Sequence, residues 1–270
     1  MLGSPIAHSL SPALHRAAYA DLGLDWTYDA IEVDETHLGE FVEGLDAQWR
    51  GLSLTMPLKR AVLPLLDETD PWAEISGVAN TVVLGAGRRV GHNTDIPGAV
   101  AALEERAAGP IVSAVVLGGG ATAASLLLAL AELGCRDATV LVRDPARAED
   151  TVAAVARHGR GPAVQVGRLT DAFGEVDLLA STIPAAAQSP ELVDRSRAAG
   201  TVFEALYDPW PTPLADAALQ DGRALVGGLD LLVHQAALQV RLMTGLDATV
   251  ATMRAAGEHE LAARSAGGTT

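Results

Sequence analysis

Short apolar runs bounded by turn residues alternate with longer stretches of helical spacing along this chain. Ser11-Pro12 marks a helix start, with a serine cap and then proline in the first turn. Apolar residues at helical spacing run from Ala13 to Leu22, and Gly23 supplies the stop. The pattern then predicts a strand over Trp26–Val33, a helix over His37–Leu45, a strand over Gly51–Thr55 and a helix from Pro57 through Leu66. Ala79–Leu84 and Arg89–Gly91 read as a hairpin around Gly85-Ala86-Gly87.

The middle of the chain has a stricter rhythm. Strands are predicted at Val112–Leu117, Ala138–Val142, Val164–Val166, Asp177–Ser181, Val202–Ala205 and Ala224–Val226. Helices fall at Ala121–Leu133, Ala146–His158 and Pro213–Gln220. Strand–helix alternation of this kind predicts an α/β architecture with a doubly wound, mostly parallel sheet. The tail reads as helices over Asp230–Met243 and Ala248–Ala263, with the final Ala266–Thr270 expected to fray. No repeat and no long Pro- or Ser-rich linker appears. The expected division is an N-terminal α/β substrate domain over residues 1–97, completed by C-terminal helices 233–265. A Rossmann-like nucleotide domain is expected over 98–232, with a cleft between the two.

The uncharged run from Gly109 to Ala131 is long enough to span a bilayer. Its midpoint, however, is Gly118-Gly119-Gly120, with a β-branched left half and an Ala/Leu-rich right half. A strand, a glycine turn and a buried helix account for it better than a membrane span. No basic stretch, apolar core and cleavage site open the chain, so a secretory signal is not expected.

Composition narrows the function classes. With 270 residues, 49% of them hydrophobic, and a mean hydropathy of +0.22, the chain can bury a large core. Its net charge of −15 repels a phosphate backbone, so nucleic acid is not an expected partner and any anionic ligand needs a local positive site. The single cysteine, Cys135, excludes an internal disulfide framework and a cysteine metal cluster, and fits a cytoplasmic location. The seven histidines are scattered, without a pair at ligand spacing, so no metal is expected.

Gly118-Gly119-Gly120-Ala121-Thr122-Ala123 is a relaxed form of the dinucleotide fingerprint. A sharp turn and a close backbone approach both need glycine there, and the following helix aims its free N–H groups at a pyrophosphate. A tight turn without a ligand is the alternative. At the end of the next strand, Arg143 and Arg147 suit a 2′-phosphate and so favour NADP. Asp144 between them suits a ribose hydroxyl and keeps NAD possible.

Polar residues in the first third have little to do in a core. Ser9 and Ser11 precede a helix, where hydroxyls and free N–H groups hold a carboxylate, although Ser11 also reads as an ordinary cap. Thr55 and Lys59 flank a strand-to-helix turn, and Asn80-Thr81 and Asn93-Thr94-Asp95 add amide, hydroxyl and acid. In order along the chain, GSPIAHSLSP (Gly3–Pro12), SLTMPLK (Ser53–Lys59), ANT (Ala79–Thr81), HNTD (His92–Asp95), LGGGATA (Leu117–Ala123), YDPWPTPL (Tyr207–Leu214) and GLDLLVHQAA (Gly228–Ala237) resemble the shikimate dehydrogenase family.

That resemblance implies a cytoplasmic enzyme of the shikimate pathway that reversibly reduces 3-dehydroshikimate to shikimate with NADPH, acting as a monomer or homodimer on a small-molecule substrate. It implies that Ser9 and Ser11 bind the carboxylate, and that Thr55, Asn80, Asp95 and Gln235 contact the ring hydroxyls or their surroundings. Lys59 and Asp95 would form the catalytic pair, with Tyr207 near the substrate. Gly118 to Ala123 would hold the pyrophosphate, Arg143 and Arg147 the adenosine phosphate, and Thr182 and Pro184 the nicotinamide side, with Gly228 also binding the cofactor. The departures are Ser53 where the family has Asn, Val142-Arg143-Asp144 in place of Asn-Arg-Thr, Leu231 in place of Met, and a short first strand.

In the implied chemistry a cationic lysine donates the proton as negative charge grows on the ketone oxygen. A lysine at its ordinary pKa of about 10.4 is a good donor and a poor base, so alcohol oxidation is expected to run faster at alkaline pH. Three other readings stand beside this one. The first is a sister enzyme acting on quinate or an aminated analogue with NAD. The second is a non-catalytic binding or regulatory protein on the same fold, and the third a metal-dependent enzyme.

Overall fold

The computed structural model describes residues 1–267, which form two compact units. One comprises residues 1–94 together with 232 onward, and the other Asp95–Leu231.

The first unit opens with strand β1 (Leu2–Gly3), helix α1 (Ser11–Asp21), strand β2 (Ile31–Glu32) and helix α2 (Leu38–Glu43). Next come β3 (Gly51–Ser53), α3 (Leu58–Ala61), a single 3₁₀ turn (Leu63–Leu65), β4 (Glu68–Thr69) and α4 (Pro71–Ser76). The hairpin β5 (Thr81–Gly85) and β6 (Arg88–His92) follows. β3, β5, β6 and β4 form one sheet in that order, β1 pairs in parallel with β2, and a bridge from Leu2 to Leu54 links the two pieces. The predicted hairpin turn is present, with Ala86 and Gly87 both at positive φ as a two-residue loop requires. Leu2, Leu38, Leu52, Leu54, Leu58 and Val82 make the core.

Three expectations change in this unit. Trp26–Val33 is not a strand beyond Ile31–Glu32. Its aromatic positions pack on α1 instead, with Tyr28 stacked 3.9 Å from His15 and Trp26 edge-on to Tyr19. The stretch Pro57–Leu66 breaks after Ala61 into a 3₁₀ turn containing Pro64, whose missing N–H and ring interrupt an α-helix. α4 is unpredicted, although Asp70 caps it through Ala73 N–H and Pro71 opens it.

The second unit is the expected doubly wound sheet. Its elements are α5 (Asp95–Arg106), β7 (Ser113–Leu117), α6 (Ala121–Glu132), β8 (Asp137–Val142), α7 (Glu149–His158) and β9 (Ala163–Arg168). They continue with β10 (Val176–Ser181), α8 (Pro190–Ser196), β11 (Ala199–Glu204), α9 (Pro213–Gln220) and β12 (Ala224–Val226). All six strands are parallel, in the order β12-β11-β10-β7-β8-β9, so the chain winds outward from β7 in both directions. Ligands of such sheets bind outside the carboxyl ends of the strands where the winding reverses. The uncharged run resolves as predicted into β7, a glycine turn and α6, whose residues Ala123–Leu130 are all buried. Among the described residues no helix is long and apolar enough to cross a membrane.

Helix α10 (Gly228–Thr244) and helix α11 (Val250–Gly267) end the chain, and α11 packs on α1. The fraying expected for Ala266–Thr270 meets a helix that runs to Gly267, and Gly268–Thr270 lie outside the described residues.

Candidate active site

The substrate-type residues of the first unit collect around the carboxyl ends of β1 and β3. Gly3 ends β1 beneath the turn after β3, where an added Cβ would lie 2.3 Å from Thr55 Cγ2. Thr55 N–H donates to Leu2 O, and Leu58 N–H donates back to Thr55 O, which fixes the turn into α3. Lys59 sits on that one-turn helix, partly buried, with its carbonyl accepting from Ala79 N–H at 2.9 Å.

Ser11 is not the helix cap. Leu10 takes that position without a side-chain bond, and Ser9 Oγ instead accepts from Ser11 N–H at 3.3 Å. The Ser11 hydroxyl is buried and has no hydrogen-bond partner among the described residues. A buried hydroxyl left unpaired costs about 1–3 kcal/mol, which a ligand carboxylate would recover. Arg264 from α11 holds the preceding loop, donating to His8 O at 2.8 Å and Ser9 O at 3.2 Å.

Asn80 and Gln235, 155 positions apart, meet directly. Asn80 Nδ2 donates to Gln235 Oε1 at 3.2 Å and to Thr94 Oγ1 at 2.9 Å. Asn80 Oδ1 accepts from Thr94 N–H and from the Thr81 hydroxyl. One turn further along α10, Gln239 accepts from Ser53 Oγ at 2.9 Å and donates to Thr81 Oγ1 at 2.9 Å. Ser53 thus faces Gln239, a residue the sequence reading did not single out. The four-residue spacing of Gln235 and Gln239 on one helix face was the available signal.

His15 underlies this cluster, fully buried, with Nδ1 2.9 Å from Ser11 O. Burial pushes its pKa down to about 4, so it is neutral at pH 7 and its Nδ1 carries the proton that the carbonyl accepts. The unfolded chain binds that proton near pH 6.5 and the folded one only near pH 4, so stability falls as pH drops through this window. The loss attributable to His15 should reach the order of 3 kcal/mol by pH 4. Urea midpoints measured between pH 7 and pH 4.5 should decline less in His15→Gln than in the parent. Parallel declines would remove His15 from this role.

The nucleotide-type residues lie in the second unit, at the carboxyl ends of its strands. Gly118 follows β7 with φ +105°, and a Cβ there would lie 2.3 Å from Thr182 Oγ1. Thr182 spans from the end of β10 to β7, donating both its N–H and its hydroxyl to Leu117 O. Gly119 lies against the backbone of Arg147 and Ala148, and Thr151 Oγ1 donates to Gly119 O at 2.9 Å. Gly120 caps α6 with no side-chain acceptor and open space where a Cβ would be. The first helical bond comes from Ala124 N–H, so the amides before it are free of helical partners and suit a pyrophosphate.

Asp144 turns its carboxylate onto its own backbone, accepting from Ala146 N–H and capping the 3₁₀ turn Pro145–Ala148. Arg143 and Arg147 are exposed on either side of it. Arg168 at the end of β9 pairs with Val142 across the sheet and reaches Arg143 O at 3.5 Å. The sequence reading missed this third cation because only the β8–β9 pairing brings it alongside. Pro184 is exposed after β10, and Tyr207 is partly buried after β11. Gly228 opens α10, where a Cβ would lie 2.5 Å from Ala205 O. Asp95, the first residue of α5, is 5% exposed and follows Thr94 directly in the chain. Among the described residues no group of three His, Cys, Asp or Glu side chains could hold a metal.

A family model described as the shikimate dehydrogenase substrate binding domain matches residues 1–82, and one described as the shikimate 5′-dehydrogenase C-terminal domain matches residues 228–256. The NADP(+) shikimate dehydrogenase of Moorella thermoacetica is 36% identical over 279 residues, covering 99% of this chain and 94% of its own length. The shikimate dehydrogenase structure of Mycobacterium tuberculosis superposes with a TM-score of 0.84 at 41% identity, covering 96% of this chain and 97% of that one. The Thermus thermophilus shikimate 5-dehydrogenase, solved with NADP(H) and shikimate, superposes with a TM-score of 0.82 at 32% identity, covering 96% and 97%. Matches of this length and identity, on a chain that carries the glycine turn and the buried polar cluster, leave one assignment: the chain belongs to the shikimate dehydrogenase family, a family of oxidoreductases.

Proposed function

We propose that the protein is an NADP-dependent shikimate dehydrogenase, interconverting 3-dehydroshikimate and shikimate in the cytoplasm. The observation that carries this is the buried, unpartnered Ser11 hydroxyl, in the same unit as the buried Asn80–Thr94–Gln235 cluster: polar capacity that suits a small polyhydroxylated acid. The glycine turn fits a dinucleotide, and the arginine set fits its 2′-phosphate better than an acid-lined ribose site would. The relatives named for NADP agree, and the NAD-linked and non-catalytic alternatives are not favoured.

In this reading Ser9 and Ser11 take the substrate carboxylate, and Thr55, Asn80 and Gln235 take ring hydroxyls. Gly118, Gly119, Gly120, Ala121, Thr122 and Ala123 take the pyrophosphate, while Arg143, Arg147 and Arg168 take the adenosine phosphate. Thr182, Pro184, Tyr207 and Gly228 line the reacting end. NADPH supplies the hydride. The Lys59 ammonium donates a proton to the ketone oxygen and steadies its growing charge. Asp95 accepts from a substrate hydroxyl and orients Lys59.

The test is a two-by-two kinetic comparison of shikimate and quinate with NADP and NAD, followed by absorbance of the reduced cofactor. Highest kcat/KM with shikimate and NADP is the expected result, and a higher value in any other cell overturns the assignment. Ser9→Ala combined with Ser11→Ala should raise the KM for shikimate by about 10- to 100-fold, the worth of one or two charge-assisted hydrogen bonds, with kcat nearly unchanged. An unmoved KM would place the carboxylate elsewhere.

A further inference from the structure

Glu204, the last residue of β11, has no exposed surface at all, although nothing in the proposed reaction uses a carboxylate there. Its partners are neutral donors. Gln188 Nε2 reaches Oε2 at 2.7 Å, the Thr212 hydroxyl reaches Oε2 at 2.8 Å, and Leu206 N–H reaches Oε1 at 3.1 Å. The directions are locked from behind. Gln188 cannot flip, because its Oε1 accepts from Leu214 N–H, and Thr212 Oγ1 accepts from Ala215 N–H as the cap of α9. Both carboxylate oxygens therefore receive hydrogen bonds, Oε2 from two donors and Oε1 from one.

This acid is where two loops meet. One, residues 182–188, leaves β10 carrying Thr182 and Pro184 and ends at Gln188, which also contacts Ser181 Oγ. The other, residues 205–212, leaves β11 carrying Tyr207 and ends at Thr212. Beyond them the second loop lies on β12's exit, with Leu206 and Ala205 against Gly228 and the Trp210 ring 3.2 Å from where a Gly227 Cβ would be. The residues assigned to the reacting end of the cofactor thus hang on segments tied together by one side chain.

We infer that Glu204 is a positioning residue for hydride transfer: it fixes the 182–188 and 205–212 loops to each other and so sets the nicotinamide end of the site, without contact to either substrate. The inference rests on the assignment of Thr182, Pro184, Tyr207 and Gly228 given above. Burial pushes the Glu204 carboxyl above the usual range, and bonds from Thr212, Leu206, Gln188 and Ser181 offset this only in part. Three directional donors at 2.7–3.1 Å hold the carboxyl group in one orientation, which is what a tie between two loops requires.

The experiment compares parent, Glu204→Gln, Glu204→Asp and the swap Glu204→Gln with Gln188→Glu in the full-length protein. Turnover is measured with shikimate and NADP, and binding with NADP and with 2′,5′-ADP, which probes the adenosine end alone. Glu204→Gln should lower kcat at least tenfold while 2′,5′-ADP affinity stays within twofold. Glu204→Asp should fall between, and the swap should regain at least threefold of the lost turnover. Turnover of Glu204→Gln within twofold of parent, 2′,5′-ADP affinity falling in step with kcat, or no gain in the swap would each overturn the inference. If Glu204→Gln is insoluble, Glu204→Asp carries the same comparison. A parent that binds NADP without oxidising shikimate, with a Glu204→Gln variant that weakens NADP and spares 2′,5′-ADP, would sink the substrate assignment and leave the positioning role standing.

Discussion

Lys59→Ala should lower kcat by about 10²–10⁴-fold, the usual worth of a positioned general acid, or roughly 3–5 kcal/mol of barrier. The KM for shikimate should stay within about threefold, because the proposed carboxylate and hydroxyl contacts lie on other residues. The local fold should survive. Leu58 anchors α3 in the core, and the bond from Ala79 N–H goes to the Lys59 carbonyl, which truncation leaves in place. Lys59→Arg keeps the charge yet can neither give up nor take back a proton, so kcat/KM should fall by the same factor in shikimate oxidation and in ketone reduction, as the fixed overall equilibrium requires. Steady-state kinetics in both directions reads all of this. A kcat within tenfold of the parent would reject Lys59 as the proton donor.

Arg143→Ala should raise the KM for NADPH by about 10- to 100-fold, as expected for one charge-assisted bond to phosphate, and change the KM for NADH by less than about threefold. The charge balance of the chain makes this effect large. In a protein of net charge −15 a phosphate dianion depends on the few cations placed beside it. Asp144 turns one carboxylate oxygen onto the backbone, accepting from Ala146 N–H at 3.2 Å. Arg168→Ala should give a smaller loss in the same direction, through its reach to Arg143 O and its place beside β8. Cofactor titration of each variant with both dinucleotides is the check. Equal losses for NADPH and NADH would make these arginines structural.

Much of the second unit was legible because its signals are local. A β-branched run before three glycines and an Ala/Leu run after them can form little else than β7, its turn and α6, and α9 and β12 fall where the pattern put them. The missed helices are instructive. α4 and α8 start with Asp70-Pro71 and Ser189-Pro190, the same cap-and-proline start that the structure shows for α9 at Thr212-Pro213. They are only six and seven residues long, too short for an apolar stripe to repeat. α5 was hidden by its own chemistry, since its first residue was read as part of a polar motif and not as a helix start. The aromatic alternation over Trp26–Tyr28 has a strand's period, and only the side chains of α1 decide that it packs as an irregular segment.

The candidate site divides in the same way. Residue types in sequence order, from Ser9 and Ser11 to Lys59, Asn80, Asp95 and the glycine turn, carried the family resemblance and the class of chemistry, because each motif is a few residues long and brings its own turn or cap. What holds those residues in place depends on partners far along the chain. Gln239 meets Ser53 across 186 positions, Arg264 meets the Ser9 loop across 255, and Gln188 and Thr212 close on Glu204 only once β10 and β11 lie side by side. Hydrogen bonds are short and directional, so which of many polar side chains pair is settled by tertiary packing and not by pattern. The sequence by itself determined the architecture and the family, because their signals are local, and the tertiary structure alone decided the buried network around the candidate residues, because its partners lie far apart along the chain.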